Sequence, residues 1–266
     1  MKIEDYKHLK FERREHGVLV VLLDNPPANA TTQGMHSELQ FVFETINRDP
    51  ETKVVVLTGA GTRMFCAGGD VKAMEAHVGD PMASVFGLCE ATRIIYAMLR
   101  LEKPIIARIN GHAIGLGSSL ALFCDLTYAI ETAKIGDPHV NFGYTASDGG
   151  ALMWPQLIGY ARAREALLIG DPLTGKRAAE IGLINKSVAT LEELDAAAYG
   201  MAERLATGAT MAISLTKVAI NMVLRRQFES LTEGHIGLEL MSSMTEDHEE
   251  AVKAFFEKRK PVFKGR

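Results

Sequence analysis

The sequence has no excess of basic charge: 29 Lys and Arg stand against 33 Asp and Glu in 266 residues, a net charge of −4 with a pI near 6.1. A general electrostatic attraction for nucleic acid is thereby excluded, although a local basic patch could still meet an anionic ligand. Cysteine is scarce. Cys66, Cys89 and Cys124 have no metal-ligand spacing and form no disulfide framework, so a reducing cytoplasm is the expected compartment. No apolar run approaches ~18 residues, the first residues carry no apolar targeting core and the last three are not a peroxisomal tripeptide, so no membrane segment is expected. Nucleotide and metal signatures are also missing. Gly59-Ala60-Gly61 follows a strand-like run, but Met64 stands where a dinucleotide fingerprint needs its third glycine. His248-Glu249-Glu250 has no second histidine at zinc-protease spacing, and no metal is expected. No repeat, low-complexity tract or long Pro/Gly/Ser linker divides the chain.

What is present is a 47% share of hydrophobic residues, enough for a substantial core. Short β-branched runs at Val18 to Leu23, Val54 to Thr58, Ile105 to Ile109 and Leu126 to Ala129 read as strands. They alternate with helical stretches around Gly34 to Asn47 and Val85 to Leu101, an α/β pattern. From Leu191 the chain reads as helix: Leu191 to Ala206, Met211 to Arg225 and Glu229 to Met244 carry apolar residues at three- and four-residue spacing. The expected organisation is an α/β core over 1–190 and a helical region over 191–266.

Two glycine-rich stretches carry the chemistry, Phe65-Cys66-Ala67-Gly68-Gly69-Asp70 and Asn110-Gly111-His112-Ala113-Ile114-Gly115-Leu116-Gly117. Each follows a strand signal and precedes a helical run, Val71 to His77 or Gly117 to Phe123. Amides at a helix start lack internal acceptors, and glycine admits a close ligand, so the pair points to two N–H donors converging on one developing oxyanion.

These stretches, with Cys124-Asp125-Leu126, Gly170-Asp171, Ala178 to Ile184 and the ending Phe255-Phe256-Glu257-Lys258-Arg259-Lys260-Pro261, resemble the crotonase (enoyl-CoA hydratase/isomerase) superfamily over nearly the whole chain. The resemblance implies a ββα spiral core with a C-terminal α-helical trimerisation region, assembled as a homotrimer or a hexamer of two trimers. Met222, Leu231, Leu238 and Met241 are then candidate contact residues, their alternative being to face their own core. It implies an acyl-CoA thioester as substrate, coenzyme A being part of that substrate with no tightly bound cofactor. Gly69 and Leu116 would supply the oxyanion-hole amides. Ala67, Gly68, Gly69, Asp70 and Lys72 would contact coenzyme A, joined by Phe255, Lys258 and Lys260. A helix from Met74 through Leu88, with Met82 and Phe86, would line the acyl end beside Ser119.

The two glutamates that such hydratases use are absent; the corresponding positions are Ser119 and His139. His139 and Asp148 lie nine residues apart around an expected loop, where they can meet as a base and its orienting carboxylate. The alternatives are a hydrogen-bonded loop histidine and an aspartate capping a helix that begins near Gly149. This spacing is similar to a crotonase branch that hydrolyses carbon–carbon bonds of cyclic β-diketones. Three functions follow: an acyl-CoA enzyme of hydratase/isomerase type, a β-dicarbonyl carbon–carbon hydrolase, and an acyl-CoA binder without catalysis. Neither Ser119 nor His36 gains a catalytic reading, since no base flanks the serine and a lone histidine is commonly just partly exposed.

Overall fold

The computed structural model describes residues 2–266. The chain opens with β1 (Leu9–Arg14), β2 (Val18–Leu23) and α1 (Gln33–Arg48). A pattern of strand, short strand and helix then recurs: β3 (Val54–Gly59), β4 (Met64–Cys66), α2 (Val71–His77) and α3 (Pro81–Arg100); β5 (Ile105–Ile109), β6 (His112–Ile114) and α4 (Leu116–Leu122); β7 (Leu126–Ile130), β8 (Lys134–Gly136) and α5 (Gly150–Ile169). The chain continues through β9 (Leu173–Thr174), α6 (Gly175–Glu180), β10 (Lys186–Val188), α7 (Leu191–Ala206), α8 (Thr210–Ser243) and α9 (Glu246–Phe256). The long strands form a six-stranded sheet in the order β1-β2-β3-β5-β7-β10, and the short ones a four-stranded sheet in the order β4-β6-β8-β9. This is the ββα repeat that the family resemblance implies.

Both faces of the large sheet are covered, so its central strands are largely apolar, with Thr58, Arg108 and Thr127 as the polar interruptions. Leu19, Val21, Leu23, Val55, Leu57 and Ile105 point into the main core with Leu39, Phe43, Ile94 and Trp154. Their strand neighbours Val18, Val20, Val54, Val56 and Ile106 meet Leu194, Ala198 and Ala202 of α7. The first helix expected in the C-terminal region therefore forms a layer of the α/β core, and the tail free of the sheet begins at α8.

Several local expectations are revised. β1 pairs antiparallel with β2, Leu9 opposite Leu23; Lys10, Glu12, Arg13 and Arg14 mask its strand pattern. The helix expected from Met74 through Leu88 is two helices. Gly79 takes a φ of 78°, and Asp80 caps α3 through bonds from Met82 N (3.0 Å) and Ala83 N (3.1 Å), with Pro81 in its first turn. The two helices expected over 211–244 are one of 34 residues, since no glycine or proline interrupts Arg226-Gln227-Phe228. Buried Phe228 stacks on Tyr96 of α3 with centroids 6.2 Å apart. Buried Lys217 pairs with Asp125 at 2.8 Å and donates to the Lys103 carbonyl at 2.9 Å, so α8 is anchored to the core at two levels. By length and composition α3 could cross a membrane, but Ala91, Ile94, Ile95, Met98 and Leu99 are buried and it packs on α1 and α8.

Candidate active site

The small sheet gathers the site. Strands β4, β6 and β8 are parallel, pairing Cys66 with Ala113 and Ile114 with Gly136, so the segments leaving them emerge side by side at their carboxyl ends. Those segments are Ala67 to Asp70, Gly115 to Leu116, and Asp137 to His139. Asn110, fully buried, ties the junction: its Oδ1 accepts from Gly59 N and Thr58 Oγ1 (both 3.1 Å), and its Nδ2 donates to the Gly61 carbonyl at 2.8 Å.

The first two segments touch. Gly68 has a φ of 87°, and a Cβ there would lie 2.7 Å from the Ile114 carbonyl and 3.3 Å from Leu116 N, so only glycine fits without displacement. The Gly68 carbonyl accepts from Thr31 N at 2.8 Å and Thr31 Oγ1 at 3.1 Å. Gly115 precedes α4, leaving the Leu116 amide in the first turn without an intrahelical acceptor. Met74 lies over Gly69, its methyl carbon 3.0 Å from where a Cβ would be. Asp70 caps α2 by accepting from Lys72 N at 3.0 Å, while the Lys72 side chain is exposed. Met82 and Phe86 stand exposed on α3. In α9, Phe255 is exposed with its ring centroid 5.7 Å from that of Phe142, and Lys258 and Lys260 are exposed beyond it. The α9 helix packs on both α2 and the 3₁₀ turn His139–Phe142, bringing the C-terminal segment beside the Ala67 to Lys72 stretch.

His139 lies against the Gly115 turn, its Cε1 3.9 Å from a Cβ built on Gly115. Its Nδ1–H donates to Asp137 Oδ1, while its Nε2 faces Asp148 Oδ2 at 3.6 Å. Ser119 Oγ donates to the other Asp148 oxygen at 3.4 Å. His139 and Asp148 are thus brought together, but the carboxylate that fixes the ring is Asp137. Asp148 does not cap α5. The residue at the cap is Gly149, at φ 132°, with no side-chain capping bond. Asp137 is 2% exposed, and its Oδ2, without a partner among the described residues, occupies the space a Cβ on Gly150 would need in the first turn of α5, where the helix dipole favours an anion.

Burial opposes the charge of His139, but the carboxylates of Asp137 and Asp148 outweigh it, and the imidazole pKa is raised well above its ordinary value. Burial, partly offset by His139, raises that of Asp148. A further carboxyl acts on this pair. Glu239, from α8, is 4% exposed, and its pKa is pushed up to about 8 by burial and the charges of Asp148 and Asp137. The raised His139 pKa favours the imidazolium between the Asp137 and Asp148 carboxyl groups, and that of Glu239 favours a neutral carboxyl alongside at neutral pH. Ligand atoms of Asp137, His139 and Asp148 lie within 4.8 Å of one another. The carboxylates occupy opposite ring nitrogens, however, which is the geometry of a proton chain rather than of a chelate.

Neither Asp137 nor Glu239 has a role in the sequence reading. Asp137 is detectable in principle as the residue two positions before His139; Glu239 lies 100 residues beyond it and is identified only by the packing of α8.

The protonated Glu239 gives a pH-dependent prediction. The unfolded carboxyl ionises above about pH 4.5 while the folded one keeps its proton to about 8, so stability falls as pH rises across this window and then levels. Glu239→Gln removes that loss. Between pH 5 and 8 the variant is expected to gain on the order of 1–3 kcal/mol relative to wild type, measured as diverging melting temperatures; parallel curves would refute the assignment.

Residues 13–266 match the family described as enoyl-CoA hydratase/isomerase. Crotonyl-CoA hydratase of Syntrophomonas wolfei is 32% identical over 261 residues, covering 97% of this chain and 98% of that protein. Carnitinyl-CoA dehydratase of Proteus mirabilis is 34% identical over 261 residues, 94% of this chain and 95% of its own. Among solved structures, an enoyl-CoA hydratase/isomerase from Mycobacterium paratuberculosis superposes with a TM-score of 0.86 at 30% identity, over 92% of this chain and 97% of that one.

Proposed function

This chain belongs to the enoyl-CoA hydratase/isomerase family, and on that premise we propose that it is an enzyme of acyl-CoA thioesters which stabilises a thioester enolate at the amides of Gly69 and Leu116. The observation that carries the acid–base assignment is the buried His139, bonded to Asp137 on one nitrogen and facing Asp148 on the other beside the Gly115 turn.

In the hydration direction, a water oxygen bonds to the β-carbon as one of its protons passes to the Asp148 carboxylate. Negative charge moves onto the thioester oxygen, where the two amides donate to it. The α-carbon then takes a proton from His139 Nε2, and Asp148 returns its proton to the imidazole. The raised pKa of Asp148 makes it a stronger base than an ordinary aspartate, and Asp137 keeps the imidazole oriented throughout. Ala67, Gly68, Gly69, Asp70 and Lys72 would hold coenzyme A, with Phe255, Lys258 and Lys260 near them on α9 and its extension. Met74 and Ser119 border the reacting end.

The test is the loss of conjugated-enoyl absorbance with short, medium and aromatic enoyl-CoA thioesters. Turnover of at least one is expected. No loss with any of them, together with cleavage of a cyclic β-diketone in the absence of coenzyme A, would favour carbon–carbon hydrolysis. His139, at one of the two positions where a hydratase glutamate is missing, and Asp148 beside it support that reading as well.

A homotrimer, or a dimer of trimers, is part of the proposal. Met222, Leu231, Leu238 and Met241 are all exposed and so do not face the chain's own core. Leu231, Leu238 and Met241 share one side of α8 and Met222 lies on the opposite side, and exposed apolar side chains of this kind are what association covers. Sedimentation velocity is expected to give three or six times 29.0 kDa; a monomer at micromolar concentration would overturn it.

A further inference from the structure

Tyr144 follows the 3₁₀ turn that carries His139, and its backbone N–H donates to the His139 carbonyl at 2.9 Å. Gly143 makes the intervening left-handed turn at φ 68°, where a Cβ would come within 2.8 Å of the His248 backbone. The phenol ring lies nearly flat on the His248 imidazole, with centroids 4.0 Å apart and planes inclined by 24°. His248 is itself buried and held by a bond from its Nδ1–H to the Phe142 carbonyl at 2.7 Å. The His139 ring centroid is 6.4 Å from that of Tyr144.

The phenol is therefore clamped, yet its hydroxyl finds no hydrogen-bond partner among the described residues, and the side chain stays partly exposed. Its hydroxyl is thus held in place and open to a bound ligand. We propose that the Tyr144 hydroxyl is a further catalytic group, donating a hydrogen bond to the oxygen that bonds to, or leaves from, the β-carbon of the thioester. This rests on the acyl-CoA reading above. In that reading the carbonyl oxygen has two amide donors, whereas the oxygen at the β-carbon meets only Asp148, which accepts from it. A neutral donor on its remaining lone pair fixes the line of attack, and in the reverse direction it steadies the departing oxygen as Asp148 returns a proton to it and water leaves. Burial, and then the neighbouring Glu239 carboxyl, push the phenol pKa up to about 12, so the hydroxyl keeps its proton at working pH.

Two thioesters of equal chain length test this without turnover: acetoacetyl-CoA, with an oxygen on the β-carbon, and butanoyl-CoA, without one. Calorimetric titration of the wild-type protein is expected to favour acetoacetyl-CoA. Tyr144→Phe, which keeps the ring stack, should weaken that ligand about tenfold, as for one lost hydrogen bond, and leave butanoyl-CoA unchanged. With a turned-over enoyl-CoA, the same variant should lower kcat at constant KM. His248→Ala, which frees the ring but spares the hydroxyl, should erode the preference in part. An unchanged preference in Tyr144→Phe overturns the proposal and leaves the acyl-CoA reading standing. If neither thioester binds wild type, that reading falls, and the role of Tyr144 with it.

Discussion

His139→Ala is expected to lower kcat by about a thousandfold or more, within the range for a lost acid–base group, and to make stability newly sensitive to pH. Both effects arise from the same two bonds. Asp137 and Asp148 are 2% and 9% exposed, and the imidazolium is the cation between them. Its removal leaves two buried carboxylates facing one another across a gap, a loss on the order of 3–5 kcal/mol near neutral pH. Protonation relieves the repulsion. The pKa of at least one carboxyl rises in the folded variant, so its stability is lost as pH rises above the unfolded carboxyl range and recovered as pH falls. Thermal melts of variant and wild type should therefore converge toward pH 5 and separate toward pH 8. Asp148→Asn retains the bond between His139 and Asp137, and should lose turnover without the large loss of stability. A His139→Ala protein with kcat within tenfold of wild type would remove the mechanism.

Gly68→Ala should be nearly as damaging, for steric rather than electrostatic reasons. At φ 87° the alanine is strained, and its Cβ meets the Ile114 carbonyl at 2.7 Å, a main-chain atom that cannot swing away. Relief requires the Ala67 to Asp70 segment to part from the Gly115 turn. Strain and overpacking together are worth roughly 2–5 kcal/mol. If the adjacent Gly69 amide moves with the segment, activity should fall by about 10²–10³, the usual effect of losing one oxyanion donor. Gly61 provides the control. It has a comparable φ of 73° but nothing within 4 Å of its Cβ position, so Gly61→Ala should show only the backbone strain and full activity. Equal losses in the two variants, by melting temperature and initial rate, would show that crowding at Ile114 is not the cause.

The long strands are legible in the sequence because burial on both faces writes them as β-branched runs. β1 is an edge strand written largely in charged residues, and the short strands of the second sheet are only three residues or fewer, too short for a period of two to appear. The break between α2 and α3 is written plainly as Gly79-Asp80-Pro81, but the apolar residues on either side favour reading through it. At the site, glycine punctuation points to the segments around Gly69 and Leu116, and the interval from His139 to Asp148 points to a loop that returns on itself. Charge partners are less visible. Asp137 is masked by the strand end it occupies, and Glu239 is one acidic residue on a helix rich in polar positions until folding removes it from water.

The small sheet arranges the work like adjoining drawers. One strand presents the stretch with Gly68 and Gly69, the next Gly115 and Leu116, and the third Asp137 and His139, with Asn110 locking the frame at the strand ends. On the proposed reading, the grip on a carbonyl lies in the first two compartments and the proton traffic in the third. The same reading makes the side chains after β8 separable from the cradle for the oxygen: their replacement would change what is done to a bound acyl group and leave its grip intact.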